Sequence, residues 1–94
     1  MKVTIAGITF DNVIYDPDGD VLYLHVGDPK SAVAFEESPE GHALRLDASG
    51  EVVGITLVRP RHVMDRGEPM VVTIPAHLPA RIDPTALTSA LHAA

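Results

Sequence analysis

From Val3 to Val58 the chain alternates apolar and polar residues in short runs, cut by clusters of Asp, Pro and Gly. Alternation with a period of two is the mark of half-buried strands, and the clusters mark the turns between them. Val3 and Ile5, then Ile8 and Phe10, predict a short first strand that turns or bulges at Gly7. Val13 and Tyr15 carry the same parity to an acidic corner, Asp16-Pro17-Asp18-Gly19-Asp20, and the apolar pattern resumes over Val21–Val26. At this corner Pro17 presets φ, Asp16 accepts a bond from a backbone N–H two residues on, and Gly19 supplies a positive φ. That chemistry predicts a type I turn closed by a glycine bulge.

Leu22, Leu24 and Val26 share one face of the next strand, with Val21, Tyr23 and His25 on the other. Neither face is fully polar, which predicts a strand in the middle of a sheet with both sides covered. The corner recurs at Asp47-Ala48-Ser49-Gly50-Glu51, with Leu44-Arg45-Leu46 leading in and Gly54-Ile55-Thr56-Leu57-Val58 leading out. Two hairpins of one design therefore carry the core.

Between them, Gly27-Asp28-Pro29-Lys30 reads as a turn, Ala32–Phe35 as a short strand ending in Glu36-Glu37, and Ser38–Gly41 as a further turn before a strand over His42–Leu46. In the following strand Val53, Ile55 and Leu57 face one way and Val52, Thr56 and Val58 the other, with Gly54 where a side chain would crowd a neighbour. Pro60 ends that strand because it has no N–H for a ladder. Arg61–Pro69 is a loop or one helical turn, Met70–Ile74 a last strand, and Pro75–Pro79 cannot join a regular ladder. Asp83 is a good N-cap and Pro84 a good first helical residue, so Pro84–Ala93 is predicted as a short helix with Leu87 and Leu91 on one side. The fold class is mainly β (α+β): a single antiparallel β-sheet or meander of about six strands with a short C-terminal helix that must dock to persist.

Ninety-four residues, 46% of them hydrophobic, suit one ordered domain with a small core. Seven Lys and Arg against 13 Asp and Glu give a net charge of −6, which disfavours nucleic acid and anionic membranes. The local exception is Arg59-Pro60-Arg61-His62 with Arg66, whose simplest explanation is a set of solvated arginines at a loop. The absence of Cys excludes disulfides, thiolate metal sites and a cysteine nucleophile. The N-terminus lacks an unbroken apolar signal segment, and no run approaches a membrane span; a soluble cytoplasmic protein is expected.

With both hairpins in view, the pattern resembles DUF2283, a family of small prokaryotic proteins of unknown function. The resemblance rests on Tyr15-Asp16, Asp20-Val21-Leu22-Tyr23-Leu24, Glu36-Glu37 and the block from Asp47 to Ile55. It covers residues 13–58; residues 61–94 read as a C-terminal extension carrying the last strand and helix. The resemblance implies a compact β-rich fold and hands over no activity, cofactor or catalytic residue. Members are said to lie beside genes for toxin-like proteins, which implies an antitoxin-like role as one alternative.

Candidate chemistry is sparse. Asp16, Asp18 and Asp20 imitate the start of a calcium loop, but Val21 and Gly27 stand where such a loop wants Gly and a bidentate Glu, so turn chemistry explains them better than metal. His25, His42, His62, His77 and His92 form no pair at ligand spacing. His25 and His42 meeting across strands, joined by Glu37 or Asp28, would make a weak metal or acid/base site. Glu36 and Glu37 point to opposite faces and make no dyad. The Tyr15 ring and Tyr23 are expected to pack, with the Tyr23 hydroxyl reaching solvent or a backbone group. No nucleophile elbow or glycine-rich phosphate loop occurs.

The first expectation is thus a non-catalytic interaction module that self-associates as a dimer and binds a partner protein, with no cofactor and no bound metal. The alternatives are an antitoxin-like partner with Arg59 and Arg61 as DNA contacts, and a weak enzyme using the strand histidines. The functional candidates are His25, Glu37, His42, Arg59 and Arg61.

Overall fold

The computed structural model describes residues 2–28, 32–75 and 79–93. Parts of two sequence expectations, the turn at Pro29 and Lys30 and the break over residues 76–78, lie outside them. Among the described residues the chain runs β1 (Val3–Ile5), β2 (Ile8–Phe10), β3 (Asn12–Asp16), β4 (Val21–His25), β5 (Ala34–Glu37), β6 (Ala43–Leu46), β7 (Val52–Val58), α1 (Pro60–Asp65), β8 (Met70–Val72), β9 (Ala80–Ile82) and α2 (Pro84–Ala93). A five-stranded antiparallel sheet in the order β3-β4-β7-β6-β5 is joined by two small hairpins, β1-β2 and β8-β9. The class is mainly β with a short C-terminal helix, as the pattern predicts. The single sheet of about six strands resolves into five strands plus two separate ribbons.

Gly7 marks a turn and not a bulge: Ala6 (φ 52°) and Gly7 (φ 79°) are both left-handed, and Ile5 pairs with Ile8. Two consecutive positive φ values make the tight turn that matches the twist of a hairpin.

The two acidic corners share one device and differ in length. Asp16 Oδ1 accepts the N–H of Asp18 at 3.1 Å, and Asp47 Oδ1 accepts that of Ser49 at 2.9 Å. At the second corner Gly50 (φ 84°) donates to the Asp47 carbonyl while Asp47 donates to the Glu51 carbonyl, which is the type I turn with a glycine bulge. At the first corner Asp16 pairs with Val21 directly, so the loop has one more position, and its left-handed residue is Asp20 (φ 52°). Gly19 therefore supplies no positive φ. A Cβ there would meet Asp16 Oδ2 at 3.0 Å, the free end of a side chain, so backbone strain at Gly19→Val does not follow as it does at Gly50→Val.

The core lies on one face of the sheet. Leu22, Leu24, Leu44, Ile55 and Leu57 are buried against Phe10 of β2, Met70 and Val72 of β8, Ile82 of β9, and Leu87 and Leu91 of α2. The C-terminal segment thus packs on the same core as the paired hairpins. Asp83 caps α2 through Ala86 N–H at 2.8 Å, as the sequence predicts. β9 escaped the pattern because three residues between Pro79 and Asp83 show too little alternation to register.

Val52 belongs to this core, contrary to its parity. The register slips between Arg45 and Leu46: Arg45 pairs with Gly54 but Leu46 with Val52, leaving Val53 as an extra residue. That bulge turns Val52 inward while Ile55 and Leu57 keep their side.

Candidate functional site

The other face of the sheet carries the observation that matters most for function. Register places three rows across it. Asn12, His25, Gly54, Arg45 and Phe35 form the first; Ile14, Tyr23, Thr56, Ala43 and Glu37 the second; Asp16, Val21 and Val58 the third. This face is uncovered: Phe35 is 67% exposed, Ile14 57%, Tyr23 45% and Val58 38%. Covering on both sides, expected for β4 from its two apolar faces, is met on the core side only. β4 does lie inside the sheet, between β3 and β7. With two Phe, two Tyr and no Trp in the chain, half of its aromatic side chains, Tyr23 and Phe35, stand on this open face.

A shallow pocket of about 210 Å³ lies among Asn12, Ile14, Tyr23, His25, Arg45 and Thr56. His25 is buried in its wall at 7% exposure, Nδ1 lying 3.0 Å from its neighbour's carbonyl at Val26, and Nε2 has no partner among the described residues. Gly54 explains the burial: a Cβ there would come within 2.8 Å of the His25 ring and 3.1 Å of Arg45 Cβ, so only glycine lets both side chains lie over this strand. Arg45 runs outward with its guanidinium carbon 5.2 Å from the centre of the Phe35 ring, a cation–π contact. No ion pair involving Arg45 occurs among the described residues.

His42 lies on the opposite face. It precedes Ala43, which pairs with Thr56 of the open face, so its own parity is that of the core, where it is 5% exposed. The expected meeting of His25 and His42 across strands is therefore ruled out by the alternation of the sheet. His42 instead finishes a ladder: its Nδ1 accepts the N–H of Val58 at 3.1 Å, where the strand has run out of carbonyl partners, and its own N–H donates to Ser38 Oγ at 3.0 Å.

Burial pushes the His42 imidazole below its ordinary pKa, with a hydrogen bond to the Val71 backbone and the charge of Glu40 opposing. The unfolded chain takes up this proton near pH ~6.5. The folded chain does so only at lower pH, so His42 stabilises the fold fully above that value and progressively less as pH falls towards its folded pKa. The melting temperature is expected to fall between pH 7.5 and 5.5, and His42→Gln to flatten that slope; an equal slope in the variant would remove His42 as its cause. The carboxylates act in a lower window. Asp11 is held below the usual range by Gly27 N–H, Glu40 by the Thr73 hydroxyl and Asp47 by the Ser49 hydroxyl, so their contributions disappear only under more acid conditions.

Glu37 sits exposed on edge strand β5, in the row of Ala43 and Thr56. Arg59 and Arg61 flank the start of α1, and Arg59 lines a surface pocket together with His42, Glu40 and His62. Arg59 is left-handed (φ 60°) and provides no side-chain cap. The cap comes from across the fold: Asp20 accepts the N–H of Arg61 at 3.0 Å and of His62 at 3.2 Å, its carbonyl accepts the N–H of Arg59 at 2.8 Å, and Oδ1 accepts the Tyr15 hydroxyl at 2.9 Å. Of the three acids of the first corner, Asp16 turns the chain and Asp20 caps a helix. Among the described residues no three His, Asp or Glu side chains are grouped to hold a metal.

The family model for "protein of unknown function (DUF2283)" matches residues 12–59, just over half of the chain. The chain belongs to the DUF2283 family. The matched segment begins with β3 and ends at Arg59, so it contains the whole five-stranded sheet and with it the entire open face. The two small ribbons and both helices that bury the opposite face of the DUF2283 sheet lie outside the match. No curated protein and no solved structure matches the chain. No helix among the described residues is long and apolar enough to cross a membrane.

The sequence missed Ile14, Tyr23, Phe35, Arg45 and Thr56 as members of one surface. Their common parity was legible strand by strand, but which strands adjoin was not.

Proposed function

We propose that the chain is a cytoplasmic, non-catalytic protein-interaction module that self-associates through the open face of its sheet. The supporting observation is the exposure of Ile14, Tyr23, Phe35 and Val58 on one side of a sheet whose other side is a closed core. Apolar surface of this kind gains free energy when a partner removes it from water, and aromatic residues and Arg are the types that interfaces favour. The surface also lies wholly within the segment that the family model matches, while elements outside that segment seal the other side. An acid/base enzyme draws no support from the site, since His25 and His42 lie on opposite faces.

The test is Tyr23→Glu, which places a charge at the centre of the face without touching the core. Sedimentation is expected to show a folded single chain for the variant where the native protein is a dimer. A variant as dimeric as the native chain would remove the open face from the account.

A further inference from the structure

Resting on the self-association just proposed, we infer that two copies pack open face to open face with their strands nearly perpendicular, so that Arg45 of each meets Asp16 of the other. The inference comes from where the charges stand in the register. Arg45 is in the first row on β6 and Asp16 in the third row on β3, so they occupy opposite corners of the face, three strands and four residues apart. Strands are spaced by about 4.8 Å and residues rise by about 3.4 Å, so both separations come to roughly 14 Å. The diagonal therefore runs at about 45° to the strands, and its midpoint falls between Tyr23 and Thr56.

An isologous pair needs a two-fold axis that maps the surface onto itself. An axis lying in the interface through that midpoint, perpendicular to the Arg45–Asp16 diagonal, exchanges the two corners. It brings each cation over the other copy's carboxylate, twice per dimer, and turns one set of strands about 90° from the other, which is one of the two preferred ways for sheets to pack. Tyr23 and Thr56 then fill the centre, and Ile14 of one copy lies over the His25–Gly54 region of the other, where the His25 and Arg45 side chains lie over the glycine.

The local complementarity of Arg45 and Asp16 is what points to a second copy, against the repulsion of the rest of the surface. The chain carries −6 overall, so two copies repel on most of their surfaces. On the open face Arg45, which has no ion pair among the described residues, stands diagonally across from the carboxylate of Asp16. Asp16 uses Oδ1 for its turn, which leaves the charge and Oδ2 available. The rival arrangement between copies joins the free edges of two β5 strands into one continuous sheet. It would oppose Phe35 to its own copy and leave Tyr23 and Thr56 in solvent.

The absence of Cys makes the test clean. Thr56→Cys and Phe35→Cys are prepared in separate chains, checked for native circular dichroism, and treated with a short thiol–thiol cross-linker. Thr56→Cys is expected to give covalent dimers and Phe35→Cys is not, because Thr56 lies beside the axis and Phe35 far from its own copy. Arg45→Glu is expected to weaken the native dimer by at least about tenfold, and Asp16→Asn, which keeps the turn acceptor, to weaken it in the same direction. Linking at Phe35 and not at Thr56, or at neither in a chain that sediments as a dimer, would overturn the arrangement while leaving self-association intact. A native chain that sediments as a monomer would instead overturn the reading on which it rests.

Discussion

Asp20→Ala is expected to lower the free energy of unfolding by about 2–4 kcal/mol, measured as a shift of the urea midpoint at unchanged slope. Loss of a helix cap typically costs about 1 kcal/mol, and hydrogen bonds to a charged acceptor contribute about 1.5–3 kcal/mol each when their donors are left unpaired. Asp20 holds three such donors, the N–H groups of Arg61 and His62 and the hydroxyl of Tyr15. Because these donors are part-exposed, water replaces some of what is lost, which keeps the total below their sum. Alanine also sits less comfortably than Asp at a left-handed φ of 52°. Asp20→Asn keeps the backbone preference and one acceptor, so it should lose less than half as much. An Asp20→Ala chain as stable as the native one would mean that α1 is fixed by its packing alone and that the cap across the fold is incidental.

Leu87→Ala is expected to cost about 3 kcal/mol, within the range of about 2–5 kcal/mol for a fully buried leucine. The side chain has no exposed surface and lies in the same buried cluster as Leu22, Leu44 and Leu57 of the sheet. The more informative result is the shape of the transition. Since α2 and the β8-β9 ribbon complete the core face of the family segment, sheet and helix should unfold together at one lowered midpoint. A helix that melts early while the sheet signal keeps its native midpoint would show that residues 61–94 are an appendage and not half of the core.

What the sequence disclosed and what it withheld follow from the range of the interactions involved. The second corner was legible in full because a type I turn with a glycine bulge is decided by five adjacent residues, and Asp83-Pro84 announced α2 in the same local way. The first corner was half legible. Asp16 behaves as its type requires, but the left-handed position moved to Asp20 because that residue's carboxylate and carbonyl are recruited by the start of α1, 41 and 42 residues further along the chain at Arg61 and His62. The bulge at Val53 left no local mark either, and it reversed the side of Val52. Of the five candidate residues, His25 and Glu37 fall on the open face, His42 on the core face, and Arg59 and Arg61 at the head of α1. That His25 and His42 lie apart could not be read, because it depends on strand order and register, which place β7 between β4 and β6. The same order gathers Ile14, Tyr23, Arg45 and Phe35, residues unremarkable one by one, into a single surface.

The most direct measurement is the sedimentation mass of the native chain over a dilution series from about 100 to about 1 μM, a span in which an interface of ordinary affinity dissociates measurably. Self-association through the open face gives twice the chain mass at the concentrated end, falling towards one chain on dilution or when Tyr23→Glu is introduced. A mass of one chain throughout, with the fold intact, would contradict it.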